Sequence, residues 1–249
     1  MRSLTYAIGD VHGRLDLLLE AVSSIDAHSG GDYGRIVLLG DYVDRGPNSR
    51  GVVDYLITNA ERLRMVCLKG NHEAMMVEAI CGGSLSSLSQ WMFHGGEETL
   101  KSYGWTGRHA PSGSLVPREH LDWMARLPLT LRECHRLYVH AGLAPEQAIQ
   151  DQDEQAFLWI RNRFLESDLS GVGLHVVHGH TPKWRGKPET SEVERLPHRT
   201  NLDTGAYATG VLAVGVFESG RPGGPTEILT VRATAANGRP VAPRWREIV

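Results

Sequence analysis

One construction, repeated along the chain, constrains it most: an apolar run stops, and the next few residues are acids, amides or histidines. Ile36-Val37-Leu38-Leu39 runs into Gly40-Asp41-Tyr42-Val43-Asp44-Arg45-Gly46. Leu4-Thr5-Tyr6-Ala7-Ile8 runs into Gly9-Asp10-Val11-His12-Gly13, and Met65-Val66-Cys67-Leu68-Lys69 into Gly70-Asn71-His72-Glu73. Further on, Leu137 to Val139 ends at His140-Ala141-Gly142, and His175-Val176-Val177 at His178-Gly179-His180-Thr181-Pro182. Short apolar runs closed by turn residues are the pattern of buried parallel strands, and open α/β sheets place their chemistry at the carboxyl ends of such strands. The pattern predicts an α/β protein whose polar site lies along the strand ends.

Each segment taken singly has a bland reading. Asp10 could cap a helix over residues 14–27, where Leu15, Leu18, Leu19, Val22 and Ile25 fall at helical spacing. Asp44 and Arg45 could be a solvated pair in a turn closed by Gly46-Pro47, and Asn71 and His72 a turn and a helix start. Their combination reads differently. In extended backbone residues i and i+2 point the same way, so Asp10 and His12 aim a carboxylate and an imidazole at one place. Together Asp10, His12, Asp41, Asn71, His140 and His180 make an oxygen and nitrogen donor set. It is too large for one tetrahedral ion and suits two ions that share a carboxylate.

Composition narrows the class. The chain has 249 residues, 41% hydrophobic and 22% charged, which is ample for a globular core. Net charge is −3 and no Lys/Arg cluster stands out, so no nucleic-acid partner is expected. No apolar run approaches the roughly 20 residues of a membrane span. Cys67, Cys81 and Cys134 are odd in number and unpaired in spacing, which argues against a disulfide framework or a zinc ribbon. With a strand at the amino end instead of a leader, they lead to the expectation of a cytoplasmic protein.

Residues 74–127 are predicted helical, forming a small cap inserted beside the site, with Trp91, Trp105 and Trp123 as core or groove wall. Asp151 and Glu154 have capping-box spacing before a helix that carries Trp159 and Arg161. A polar loop is predicted over 183–197, then strands over 200–203, 211–217 and 227–231, and a loosely ordered tail over 233–249. No repeat or linker divides the chain, so a single domain over 1–249 is the expectation.

The blocks Gly9–Gly13, Gly40–Gly46, Gly70–Glu73, His140-Ala141 and Gly179–Pro182, in this order, resemble the calcineurin-like metallophosphoesterases. Within that superfamily the chain is most similar to the bacterial and phage serine/threonine phosphoprotein phosphatases, with weaker echoes at Trp91–Gly96, Trp159–Arg161 and Leu202–Gly205. The resemblance implies a four-layer α/β/β/α sandwich of two mixed β-sheets flanked by helices. It implies two divalent metal ions, manganese first and iron or zinc compatible. Asp10 and His12 would hold the first ion, Asp41 would bridge, and Asn71, His140 and His180 would complete the second. Hydroxide between the ions would attack phosphorus while Arg45 and Arg161 clamp the phosphate. His72, oriented by Asp44, would protonate the leaving group of a phosphoprotein or small phosphomonoester. The chain departs from the pattern at His94, where relatives carry asparagine, and at Pro182, where many superfamily members carry histidine. His178 should face away from His180 and reads as structural, and His28, His109, His120, His135, His175 and His198 read as surface or packing residues.

Rival chemistries leave fewer traces. A cysteine phosphatase needs arginine six positions after its nucleophile, where Glu73, Ser87 and His140 stand. Asp151-Gln152-Asp153 follows no buried strand, which disfavours an aspartate nucleophile, and no Gly-x-x-x-x-Gly-Lys loop occurs. Symmetrical dinucleoside tetraphosphate hydrolysis is the alternative within the superfamily. Those enzymes typically lack an acid at the Asp44 position and have aspartate where Glu73 stands. An inactive phosphate-binding module is a second alternative, disfavoured because every expected ligand and acid is present.

Overall fold

The computed structural model describes residues 3–108, 113–185 and 187–233. Its first half runs β1 (Leu4–Ile8), α1 (Leu15–Ser29), β2 (Arg35–Leu38), α2 (Ser49–Asn59), β3 (Met65–Cys67), α3 (Asn71–Cys81), α4 (Leu85–Trp91), α5 (Glu97–Ser102) and α6 (Arg118–Ala125). Next come β4 (Thr130–Arg132), β5 (Arg136–Val139), α7 (Glu154–Trp159), α8 (Asn162–Leu165) and β6 (His175–His178). The chain closes with β7 (Trp184–Arg185), β8 (Lys187–Ser191), β9 (Glu194–Arg195), β10 (Arg199–Asn201), α9 (Ala206–Thr209), β11 (Val211–Glu218) and β12 (Glu227–Arg232).

Two five-stranded mixed sheets result. In the first, ordered β12-β11-β1-β2-β3, strands β1, β2 and β3 are parallel, β11 pairs antiparallel with β1, and β12 antiparallel with β11. In the second, ordered β4-β5-β6-β10-β9, strands β5, β6 and β10 are parallel, with β4 and β9 antiparallel at the edges. The apolar runs form strands because alternate side chains have separate cores to fill. Tyr6, Ile8, Ile36 and Leu38 face the core under α1, α2, α3 and α6, whereas Ala7, Val37 and Leu39 face the second sheet. There they meet Tyr138 and Val177, while Leu137, Val139 and Val176 turn outward to Phe164 and Leu169. Period-two alternation between two buried faces thus produces the four-layer α/β/β/α sandwich. Both parallel trios point their carboxyl ends at one place.

Several sequence expectations change. Over 183–197, expected as a polar loop, β7 and β8 pair as a hairpin and β9 joins the second sheet. The segment is nearly all polar and lacks the apolar alternation by which a strand is read. Asp153, not Asp151, caps α7, its Oδ1 accepting the Ala156 N–H at 2.8 Å, and residues 149–151 form a 3₁₀ turn. No side chain caps α1, so Asp10 is free of that role. Met92–Gly96 makes a π-type turn broken at Gly95, whose φ is 108°. Cys67, Cys81 and Cys134 are free, and no described helix is long and apolar enough to cross a membrane. His109 and the tail beyond residue 233 lie outside the described residues.

Candidate metal centre

Every donor expected from the sequence arrives at the common strand-end edge. Asp10 and His12 follow β1, Asp41 follows β2, and Asn71 and His72 open α3 directly after β3. His140 follows β5 and His180 follows β6, and all seven are buried. Asp41 lies between them. Its Oδ2 is 3.4 Å from His12 Nε2 and 3.8 Å from His72 Nε2, and its Oδ1 is 3.3 Å from His140 Nε2. Two donor clusters therefore share this carboxylate: His12, Asp41 and His72 on one side, Asp41, His140 and His180 on the other. Asn71 Oδ1 lies 2.9 Å from both His140 Nε2 and His180 Nδ1.

Hydrogen bonds fix what these groups present. His12 Nδ1 is 2.9 Å from the Val43 carbonyl, and His140 Nδ1 is 2.9 Å from that of Leu39. A carbonyl only accepts, so each Nδ1 carries the proton and each Nε2 keeps a lone pair; that of His12 accepts from Arg45 Nη1 at 3.1 Å, and that of His140 faces the centre. The lone pair of His140 then faces the amide oxygen of Asn71, an encounter that repels unless a cation lies between them. Asp10 Oδ2 accepts the His180 N–H at 2.9 Å, but Asp10 Oδ1 and His180 Nε2, both buried, have no partner among the described residues. Leaving a buried polar atom unmatched costs about 1–3 kcal/mol, which bound cations would offset. The donor set fits two divalent ions.

The backbone is bent to make this possible. Among the described residues, non-glycine positive φ occurs at His12, Asp41, Asp44, Arg45, His180 and Arg64, and all but Arg64 belong to the site. Such strain collects where surrounding contacts hold the chain for function. At Gly40, with φ 106°, a Cβ would come within 2.6 Å of Gly70 N and 2.9 Å of His140 Nδ1, so only glycine lets these loops meet.

Beyond the donors, His72 Nδ1 is 2.7 Å from Asp44 Oδ2. Trp91 Nε1 donates to both Asp44 oxygens at 3.0 and 2.9 Å, and Thr99 Oγ1 donates to Oδ1 at 2.7 Å. Arg45, whose N–H donates to Gly95 O at 3.1 Å, lies with its guanidinium carbon 4.9 Å from the centre of the Tyr207 ring. Arg161 donates to His180 O at 3.2 Å and Thr181 Oγ1 at 2.9 Å.

Residues 4–204 match the family model of the calcineurin-like phosphoesterases. The chain belongs to the calcineurin-like phosphoesterase family. Among similar curated proteins are two named bis(5'-nucleosyl)-tetraphosphatase, symmetrical. That of Neisseria gonorrhoeae (strain NCCP11945) is 30% identical over 151 residues, 61% of this chain and 48% of that one. That of Salmonella paratyphi C (strain RKS4594) is 30% identical over 212 residues, 80% of this chain and 64% of that one. The chain thus spans about half to two thirds of the length of these relatives. A crystal structure of a protein provisionally named diadenosine tetraphosphatase superposes with a TM-score of 0.61 at 22% identity, covering 93% of this chain and 94% of that one. A serine/threonine phosphatase from Saccharomyces cerevisiae gives 0.59 at 18%, covering 94% and 81%. At these identities the structures show the fold alone. The sequence likeness expected toward serine/threonine phosphatases is therefore met by fold, whereas the curated relatives cited carry the tetraphosphatase name.

Within this metallophosphoesterase the buried electrostatics suit cations. Burial, then Asp203 and Asp41, holds Asp10 well above the carboxylate range, and burial pushes Asp41 up to about 7. Burial pushes His140 down to about 4 and holds His12 and His180 well below the usual imidazole value, so all three are neutral and keep a lone pair that a cation could use. Burial and then Arg45 also depress His72 despite its contact with Asp44.

Sequence reasoning missed several supports. Glu73 accepts the N–H groups of Asp41 (2.9 Å), Tyr42 (2.7 Å) and Gly70 (2.9 Å), tying the β2 loop to the β3 loop. Asp203 is buried close enough to raise Asp10, with its own carboxyl pushed up to about 6 by burial. The ring of His94 lies 6.3 Å from that of His72, beside the arginines that depress it after burial. His178, by contrast, was read from the sequence as structural, and it turns to Arg199 and Phe164.

Proposed function

We propose that this chain is a dinuclear-metal phosphohydrolase acting on dinucleoside tetraphosphates, split symmetrically. The chemistry is carried by one observation, the Asp41 carboxylate common to two buried donor clusters. The substrate is supported by the names of the curated relatives. Asp10, His12 and Asp41 would hold one ion, with His72 of the first cluster left as the acid, and Asp41, Asn71, His140 and His180 the other. Bound there, two divalent ions would supply Lewis acidity and a deprotonated water near neutral pH. Arg45 and Arg161 grip phosphate oxygens, their planar forks suiting paired oxygens better than lysine would. Phosphate brings negative charge next to His72 and raises its proton affinity, so the imidazole charges as substrate arrives. Nδ1–H stays on Asp44 and Nε2–H is delivered to the leaving oxygen.

A second reading, hydrolysis of serine or threonine phosphomonoesters, is favoured by that dyad. An alkoxide cannot leave without a proton, whereas a nucleoside diphosphate is already a good leaving group and has less need of His72. The test compares diadenosine tetraphosphate with a phosphoserine peptide on Mn²⁺-loaded protein. ADP as sole nucleotide product, at a higher kcat/KM than phosphate release from the peptide, supports the first reading. The reverse order supports the second, and no turnover of either removes both.

A further inference from the structure

Next to the metal centre, a pocket of ≈270 Å³ lies between the loop of residues 144–152 and α7. Trp159 joins the two places: it lines the pocket, and its ring centroid is 6.4 Å from that of His180 at an interplanar angle of 83°. Ala156 and Ile160 add apolar surface, while Gln147 and Gln155 line it with amides that have no hydrogen bond within the described residues. The walls are fixed in place. The Gln152 side chain accepts the Ala144 N–H at 2.8 Å and donates to Ala144 O at 2.8 Å and Gln147 O at 2.9 Å, closing the loop on itself. Asp153 in turn caps α7.

The chemistry of the lining selects an occupant. A tryptophan in the wall offers stacking surface, and the exposed amides of Gln147 and Gln155 offer both donors and acceptors, which together match the face and the edge of a nucleobase. The one cation of the lining, Arg163, is paired with Glu146, so the pocket is not built for another phosphate. Its volume falls just below the roughly 300 Å³ where sites for drug-sized ligands begin, which admits a base but not a whole dinucleotide.

We infer that this pocket holds the nucleobase of a nucleotide whose phosphates sit at the metal centre. The inference deepens the reading of the site given above and rests on it, since it places the remainder of a nucleotide substrate. Trp159 and the two glutamines are then what separates a nucleotide from a bare polyphosphate.

Calorimetry on the Mn²⁺-loaded 249-residue chain tests this with ADP and pyrophosphate as probes, which need no turnover. Base stacking on an aromatic ring makes ADP bind about 10-fold or more tightly than pyrophosphate. That advantage should fall to about threefold or less both in Trp159→Leu and in the pair Gln147→Ala with Gln155→Ala, pyrophosphate serving as the internal control. Equal affinity for ADP and pyrophosphate in the unaltered protein overturns the inference. So does an advantage that survives both sets of changes, or a preference for phosphopeptides with apolar flanks that Trp159→Leu abolishes while ADP gains nothing. Failure of the functional reading is separate, because it would appear as absent turnover of diadenosine tetraphosphate with the ADP preference intact.

Discussion

Asp44 has its two oxygens engaged by Trp91, Thr99 and His72, and its backbone N–H by Ser49 and Thr99. A carboxylate so fully bonded acts as an anchor for the imidazole and not as a base. Asp44→Asn should therefore lower kcat about 100-fold on an alkyl phosphate and much less on p-nitrophenyl phosphate, whose leaving group needs little protonation. Metal content, measured by atomic emission, should not change. Tyr207 supports Arg45 in a comparable way, through ring-to-guanidinium contact alone. Tyr207→Leu should weaken inhibition by inorganic phosphate roughly 3- to 30-fold, the range of a cation–π contact, and Tyr207→Phe should restore it. That Asp10, His12, Asp41, Asn71, His140 and His180 gather at one buried edge was legible in the sequence, because each follows the end of an apolar run. Tyr207, Trp91 and Glu73 were not, because an aromatic ring or a helix-start glutamate has a role only once the fold sets its neighbours.

At the scale of elements, the strands and the helical segment before β4 could be read from periodicity, while their joints could not. The turn at Met92–Gly96 is the clearest case. Its helical neighbours are plain in the sequence, yet the break at Gly95 is what carries the chain against Arg45. A Cβ on Gly95 would meet Arg45 Cγ at 2.7 Å and its N at 2.8 Å, and φ 108° is strained for any other residue. Gly95→Ala should cost about 1–3 kcal/mol in urea unfolding and should also raise KM, because Arg45, the proposed phosphate clamp, moves with the turn. Gly83, with φ 68° and open space around it, separates the two effects. Gly83→Ala should lower stability by about 1 kcal/mol without touching KM. The β7–β8 hairpin escaped notice for the opposite reason, since its polar sequence holds no alternation for a pattern to reveal.

Across the whole molecule, two sheets are pressed together at the one edge where buried carboxylates crowd. Asp41, pushed up to about 7, and Asp203, to about 6, bind protons more tightly folded than unfolded. Without metal they favour the folded state at low pH, and that contribution is lost as pH rises through about 6 to 7. The histidines run the other way: His140, pushed down to about 4, opposes folding as pH falls below about 6.5. Cations need the carboxylates ionised and the histidines neutral. The rise in Tm that Mn²⁺ gives over chelated protein should therefore grow from about pH 5.5 to about pH 7.5 and nearly vanish below about pH 5. A rise independent of pH would mean that the ion binds elsewhere. The proposed chemistry depends above all on a single side chain serving two ions, and anomalous diffraction at the manganese edge from crystals grown with Mn²⁺ measures this directly. Two peaks per chain are expected, both bonded to the Asp41 carboxylate, one also to His12 and the other to Asn71, His140 and His180. One peak alone, or two of which only one touches Asp41, would contradict it.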